Sequence, residues 1–218
     1  MSLSEIFQAG GIVMWPLALF SLVAIALSIE RLIFWTRINR NQRKVVKKVL
    51  ATYRRTPMDV FPLLRQNVRL PISRIFLEAL ELERPSPSQF RLALESATQA
   101  ELPLLKRFNT IFQTIITVSP LLGLLGTILG LIRSFDAIEI GGIGSNAELV
   151  TGGISEALVS TAAGMVVAIF TLLFANLFRG LYKRQIALLQ EHGGQLELLY
   201  EGHYATANKL GVPEYANS

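Results

Sequence analysis

Three stretches of this chain stay apolar for longer than a soluble core helix needs. Ile6 to Ile29 carries no charged residue, Phe108 to Ile132 carries none, and Leu149 to Phe178 carries only Glu156. Crossing a bilayer takes about 20 apolar residues, so each stretch predicts a membrane-spanning helix. Elsewhere the pattern turns amphipathic. Val45, Val46, Val49, Leu50 and Tyr53 fall on one helical face behind Arg43, Lys44, Lys47 and Lys48. Ile72, Ile75, Phe76, Ala79 and Leu80 mark a second helix, and Pro57, Pro62 and Pro71 cut the chain around it into short pieces. Ser86 is placed to cap a further helix, with Pro87 at its first position and Gln89 completing a capping box. From Gln89 the periodicity runs through Phe90, Ala93, Leu94 and Ala97 into the second span. That predicts one long helix, kinked at Pro103. Helical periodicity resumes from Leu181 to Tyr200, with Gly193-Gly194 as the place for a break. Gly141-Gly142-Ile143-Gly144 reads as an outer turn, because it follows no strand and lacks the Lys of a phosphate-cradling loop.

The predicted fold class is all-α: an integral membrane protein with three transmembrane helices, whose long helices extend into a cytoplasmic helical domain. Residues 1–11 form an outer, periplasmic N-terminus, 12–34 the first transmembrane helix and 35–107 the cytoplasmic domain. Residues 108–134 form the second transmembrane helix, 135–150 a periplasmic loop, and 151–178 the third transmembrane helix. Residues 179–218 form a cytoplasmic C-terminal helix and tail.

Composition supports the membrane reading. Hydrophobic residues make up 51% and charged residues 17%, against about 25% charged in a soluble chain. The absence of cysteine excludes a disulfide scaffold, a thiolate zinc site, an iron–sulfur cluster and a cysteine nucleophile. His192 and His203 are too few for a His-rich metal site, so neither metal nor cofactor is expected. The net charge of +5 is unevenly spread. Arg37 to Arg107 holds 15 Lys and Arg, and Arg179, Lys183, Arg184 and Lys209 follow the third span. Residues 1–11 and 136–150 hold none. Basic residues mark the cytoplasmic side, which puts the N-terminus in the periplasm and the C-terminus in the cytoplasm of an inner-membrane protein. The cations near Trp35 and Phe178 can meet anionic lipid heads, at about 1 kcal/mol each. No interleaved aromatics or known module points to nucleic acid. The N-terminal flank lacks the basic region of a signal peptide, so the first span reads as a retained anchor.

The candidate chemistry lies in the second and third spans. Gly123, Gly126, Thr127, Gly130 and Ser134 recur at three- and four-residue spacing, as do Gly153, Ala157, Thr161, Gly164, Ala168 and Ala175. Small residues on one face let helices approach closely. Gly123, Gly126, Gly130, Ala157 and Gly164 are accordingly assigned to helix packing. A carboxylate within a membrane is costly and usually faces a bundle interior or water. Glu156 sits near the outer end of the third span, with Ser160 one turn below it. Glu156, Ser160, Thr161 and Thr127 are the candidate ion pathway, and anchoring of a helix end is the plainer role for Glu156.

Ser119-Pro120-Leu121-Leu122-Gly123-Leu124-Leu125-Gly126-Thr127 closely resembles the second-span signature of the ExbB/TolQ/MotA proton-channel family. Gly153-Ile154-Ser155-Glu156-Ala157-Leu158, continuing to Thr161, Gly164 and Asn176, resembles its third-span signature, and Glu30-Arg31-Leu32 fits the end of the first span. The likeness is greatest to ExbB in its short form, with TolQ close behind. The resemblance implies a homopentameric ring around an ExbD-like single-span subunit that carries an intramembrane Asp. It also implies a TonB-like protein that passes proton-driven work to transport across the outer membrane. Thr127 and Thr161 would line the lumen opposite the partner Asp, with Glu156 at the outer mouth and Asn176 near the inner end. A TolQ-like role in a Tol-Pal-type envelope-maintenance system, or a passive scaffold without ion conduction, is the alternative. Phe170 stands where ExbB commonly has Pro, and Ser119 and Ser155 stand where Ala is common. Phe170 in that place predicts a straighter helix. No Ser–His pair, HExxH motif or paired aspartates lie in the spans, so the chain is not expected to be an enzyme. No inverted repeat suggests a solute transporter.

Overall fold

The computed structural model describes residues 10–145 and 147–210, so most of the predicted N-terminal segment and the end of the tail lie outside the described residues. Among the described residues every regular element is a helix and there is no strand. Helix α1 runs Met14–Arg55, and a 3-10 turn at Pro57–Asp59 leads into α2, Val60–Gln66. Helix α3 is Pro71–Leu80 and α4 is Pro87–Leu105. The last two are α5, Asn109–Ser145, and α6, Ala147–Leu210. Three helical stretches are long and apolar enough to cross a membrane: Met14–Arg55 in α1, Pro87–Glu139 over α4 and α5, and Ala147–Asn208 in α6. The chain forms two compact units, Met1–Leu32 with Phe108–Arg179, and Ile33–Arg107 with Gly180–Ser218.

Three local expectations change. The long helix predicted from Gln89 through the second span is two helices, because α4 ends at Leu105 and α5 begins at Asn109. Pro103 is accommodated inside α4. The break comes instead at Phe108, whose φ of 67° is left-handed and cannot continue a right-handed helix. The Phe108 ring is met by the buried Arg31 guanidinium, 5.3 Å from its centroid. Such a contact is worth about 2 kcal/mol when desolvated and offsets backbone strain of similar size. Gly193-Gly194 does not interrupt α6, and Gly141 to Gly144 belong to α5 rather than to a turn. Glycine weakens a helix interior by only about 1 kcal/mol per residue, and continuous helices of 64 and 37 residues absorb that.

The unit containing α2, α3 and α4 is packed like a soluble domain. Ser86 caps α4 with the full capping box: its side chain accepts from the Gln89 N–H, and the Gln89 side chain accepts from the Ser86 N–H. Val46, Val49 and Tyr53 of the predicted α1 face are buried, as are Ile72, Ile75, Phe76 and Ala79 of α3 and Phe90, Leu94 and Ala97 of α4. Arg74 grips Glu101 through two bonds of 2.5 Å, tying α3 to α4. The hydrogen bond to Glu101 raises the Arg74 pKa, against the opposing effect of burial. Tyr200 of α6 stacks on Phe90 with ring centroids 4.0 Å apart, and its hydroxyl donates to the Pro85 carbonyl at 2.6 Å. A buried Gln185–Gln42 bond of 2.7 Å joins α6 to α1 in the same unit.

The Tyr200 contacts separate two energetic contributions. Tyr200→Phe keeps the stack and loses the hydrogen bond, so it should cost about 1 kcal/mol. Tyr200→Ala loses both and should cost about 3–5 kcal/mol. Thermal unfolding of the purified protein in mild detergent should rank wild type, Phe and Ala in that order. Equal melting of the two variants would deny the ring its role.

Candidate functional site

The apolar unit is built around a close antiparallel seam between α5 and α6. Seam contacts run in opposite chain order, Gly130 facing Gly153 and Ala157 while Gly123 faces Ser160 and Thr161. A methyl group at Gly130 would lie 2.5 Å from the Gly153 carbonyl oxygen, and one at Gly164 would lie 2.5 Å from the Ser119 carbonyl oxygen. A methyl at Gly126 would collide with the Ser160 side chain. Only a missing Cβ lets the backbones come this near. The five residues assigned to packing, Gly123, Gly126, Gly130, Ala157 and Gly164, all lie buried along this seam. Buried Val13, with Met14 and Leu17 at the start of α1, packs across it against Leu122 and Leu129 of α5 and Ala163 of α6.

The hydroxyls predicted for an ion pathway divide into two groups. Thr161 of α6 donates to the Gly123 carbonyl of α5 at 3.1 Å. Ser160, fully buried, reaches the Gly123 carbonyl at 3.4 Å and the Ala157 carbonyl of its own helix at 3.0 Å. Both side chains therefore converge on one oxygen across the seam. Thr127 is half-buried and donates to the Leu124 carbonyl at 2.6 Å, so its bond stays within its own helix. Ser134 also bridges the seam, with its hydroxyl 3.1 Å from the Gly130 carbonyl and 3.0 Å from that of Val150. Asn176 is exposed at the far end of the unit.

Glu156 forms an ion pair with Arg133 of α5. The Glu156 side chain is 11% exposed and the Arg133 side chain 56%, so the carboxylate is seated and the guanidinium reaches in from outside. The second wall of the seat is backbone. Gly11 has a φ of 66°, and a Cβ there would overlap the Glu156 carboxylate. Sequence reasoning does not single out Arg133, which stands one residue past the apolar stretch that ends at Ile132. Charge complementarity between the paired ends of two spans is the signal that finds it. A lone cation closes the second stretch, and a lone acid lies near the matching end of the third.

Comparison with known proteins identifies the family. The match to the MotA/TolQ/ExbB proton channel family covers residues 67–191, and the chain belongs to that family. The ExbB-like 3 biopolymer transport protein of Synechocystis sp. is 62% identical over 97% of this chain and 100% of its own length. The ExbB-like 1 protein of the same organism is 41% identical over 89% of this chain and 77% of its own. The biopolymer transport protein ExbB of Salmonella typhimurium is 38% identical over 43% of this chain and 38% of its own. With its three apolar helices, the chain is a membrane protein of this channel family.

The seam is tested by adjacent glycines in different surroundings. A methyl group on Gly152 would meet no neighbour within 4 Å, whereas one on Gly153 would face the Gly130 carbonyl and Ser134. Gly152→Ala should be neutral or stabilise by about 0.5–1 kcal/mol. Gly153→Ala overpacks the seam and should cost about 1–3 kcal/mol. Thermal melting in detergent distinguishes them, and equal effects would show that the seam is not tight there.

Proposed function

We propose that this member of the MotA/TolQ/ExbB proton channel family is the ring-forming, ExbB-like subunit of an inner-membrane motor driven by the proton motive force. Five copies surround an ExbD-like single-span subunit with an intramembrane Asp. The assembly passes its work to a TonB-like protein and energises TonB-dependent transport across the outer membrane. The N-terminus is periplasmic and the C-terminus cytoplasmic, with the basic flanks of the spans against anionic lipid.

The observation that carries this reading is a seated carboxylate, Glu156, on a spanning helix whose next turn bears Ser160 and Thr161. All three fall within the residues matched to the proton channel family. Thr127, half-buried on α5, supplies the fourth polar group of the pathway. One proton crossing about 100 mV releases about 2.3 kcal/mol. That biases a rotation or a conformational cycle without any bond being broken. A TolQ-like role in envelope maintenance is the second reading. It is favoured by the Tol-Pal system protein TolQ of Haemophilus influenzae, 31% identical over 105 residues.

Native mass spectrometry of the complex, purified in mild detergent with its neighbouring genes co-expressed, should give five copies carrying a small single-span partner. Glu156→Gln and Thr161→Val should each abolish energised function while the complex still assembles. A monomer or dimer without such a partner would sink the motor reading. Normal energised function in both variants would leave a passive scaffold as the better description.

A further inference from the structure

We propose that Arg133 is a positioning residue that serves as a tethered cation on Glu156, holding the carboxylate closed until a mobile cation displaces the guanidinium. The inference rests on the ion-pathway reading of Glu156 and names what regulates access to it. Three parts of the apolar unit converge here. α6 supplies the carboxylate, and α5 supplies the guanidinium that pairs with its Oε2. The turn before α1 supplies the backbone floor, where Gly11 leaves no room for a Cβ beside the carboxylate. The neighbouring Gly10 lies against α6 one turn further on, since a Cβ there would come within 3.3 Å of Val159 Cγ1.

The asymmetry of burial makes this pair a gate rather than a fixed strut. Two fully buried partners would be locked together, because separating them strands a charge away from water. Here only the carboxylate is enclosed. The Arg133 side chain is more than half exposed and reaches the carboxylate from its rim, whereas Glu156 is enclosed with Gly11 on its other side. Release of the pair therefore leaves a carboxylate that needs another positive partner, which a proton or a small monovalent cation provides. Arg133 is well suited to this work because a guanidinium presents a planar fork of donors that matches a carboxylate, so it can compete with a mobile ion for Glu156. Among the described residues, Arg133 is the cation paired with Glu156, and the other ion pairs lie elsewhere in the chain.

The test is the reaction of full-length protein in mild detergent with dicyclohexylcarbodiimide, which modifies accessible carboxyl groups, with the site located by mass spectrometry. Wild type should label slowly at Glu156. Arg133→Gln should label faster, by up to about fivefold, the factor expected on losing a partly exposed ion pair. Arg133→Lys should restore slow labelling, which a role in packing alone would not require. Gly11→Ala, which pushes the carboxylate off its floor, should also label faster. Wild-type labelling in Arg133→Gln would overturn the proposal, as would Arg133→Lys labelling as fast as Arg133→Gln. The two readings fail separately. Normal energised function in Glu156→Gln would remove the ion pathway while the labelling pattern stood. Loss of function in Glu156→Gln, with unchanged labelling in Arg133→Gln, would remove only the tethered cation.

Discussion

Two helices in lipid gain nothing from the hydrophobic effect by touching, since lipid tails are as apolar as leucine. What holds α5 against α6 must come from close van der Waals contact and from polar groups that find partners across the gap. At Gly130 the gap has closed so far that a single methyl would strike the Gly153 carbonyl. That closeness fixes the rest of the unit. It brings Thr161 within hydrogen-bond reach of Gly123, sets the Ser134 hydroxyl between carbonyls of both helices, and fixes the register in which Arg133 meets Glu156. Widening the seam would weaken all of these contacts together.

The same chain obeys a different solvent elsewhere. In the apolar unit Leu19, Leu22, Leu124, Ile128, Ile169 and Leu173 are exposed and point away from the protein. Water would penalise such a surface, and lipid does not. In the other unit Val46, Val49, Phe76, Phe90, Leu94 and Leu196 turn inward, and arginines and lysines cover the outside of α1. Specificity there comes from the Phe90–Tyr200 stack, the Arg74–Glu101 pair and the Ser86 cap. α1 and α6 each pass from one regime to the other without interruption. Their sequences change from apolar on all sides to amphipathic along a single helix.

Most of this architecture is legible from residue order. Long uncharged runs report spans because desolvated charge is expensive, and the Ser86-Pro87-Ser88-Gln89 cap is readable because its chemistry is local. The small-residue positions are legible for the same reason, since their three- and four-residue spacing describes a helix face. Contacts between residues distant in sequence are not. Nothing in the local pattern at Phe108 reveals that Arg31 meets its ring and that the backbone turns left-handed there. Arg133 is obscured in the same way. By itself it is an arginine at the end of an apolar run, and its meaning comes from a carboxylate 23 residues later. The glycine cluster at 141–144 shows the opposite error, a local signal for a turn overridden by the helix around it.

The Thr161–Gly123 bond has one further consequence. A carbonyl oxygen can only accept, so the Thr161 hydroxyl has committed its sole hydrogen to it and turns only lone pairs toward its remaining surroundings. A hydroxyl in that state can receive a proton but cannot pass its own onward. For Thr161 to relay protons, its hydrogen must swing off Gly123 at each passage, and a fastener between two helices opens as it does so. Transport through such a residue would carry its own mechanical stroke, because the group that would move the charge is also one that holds the helices together.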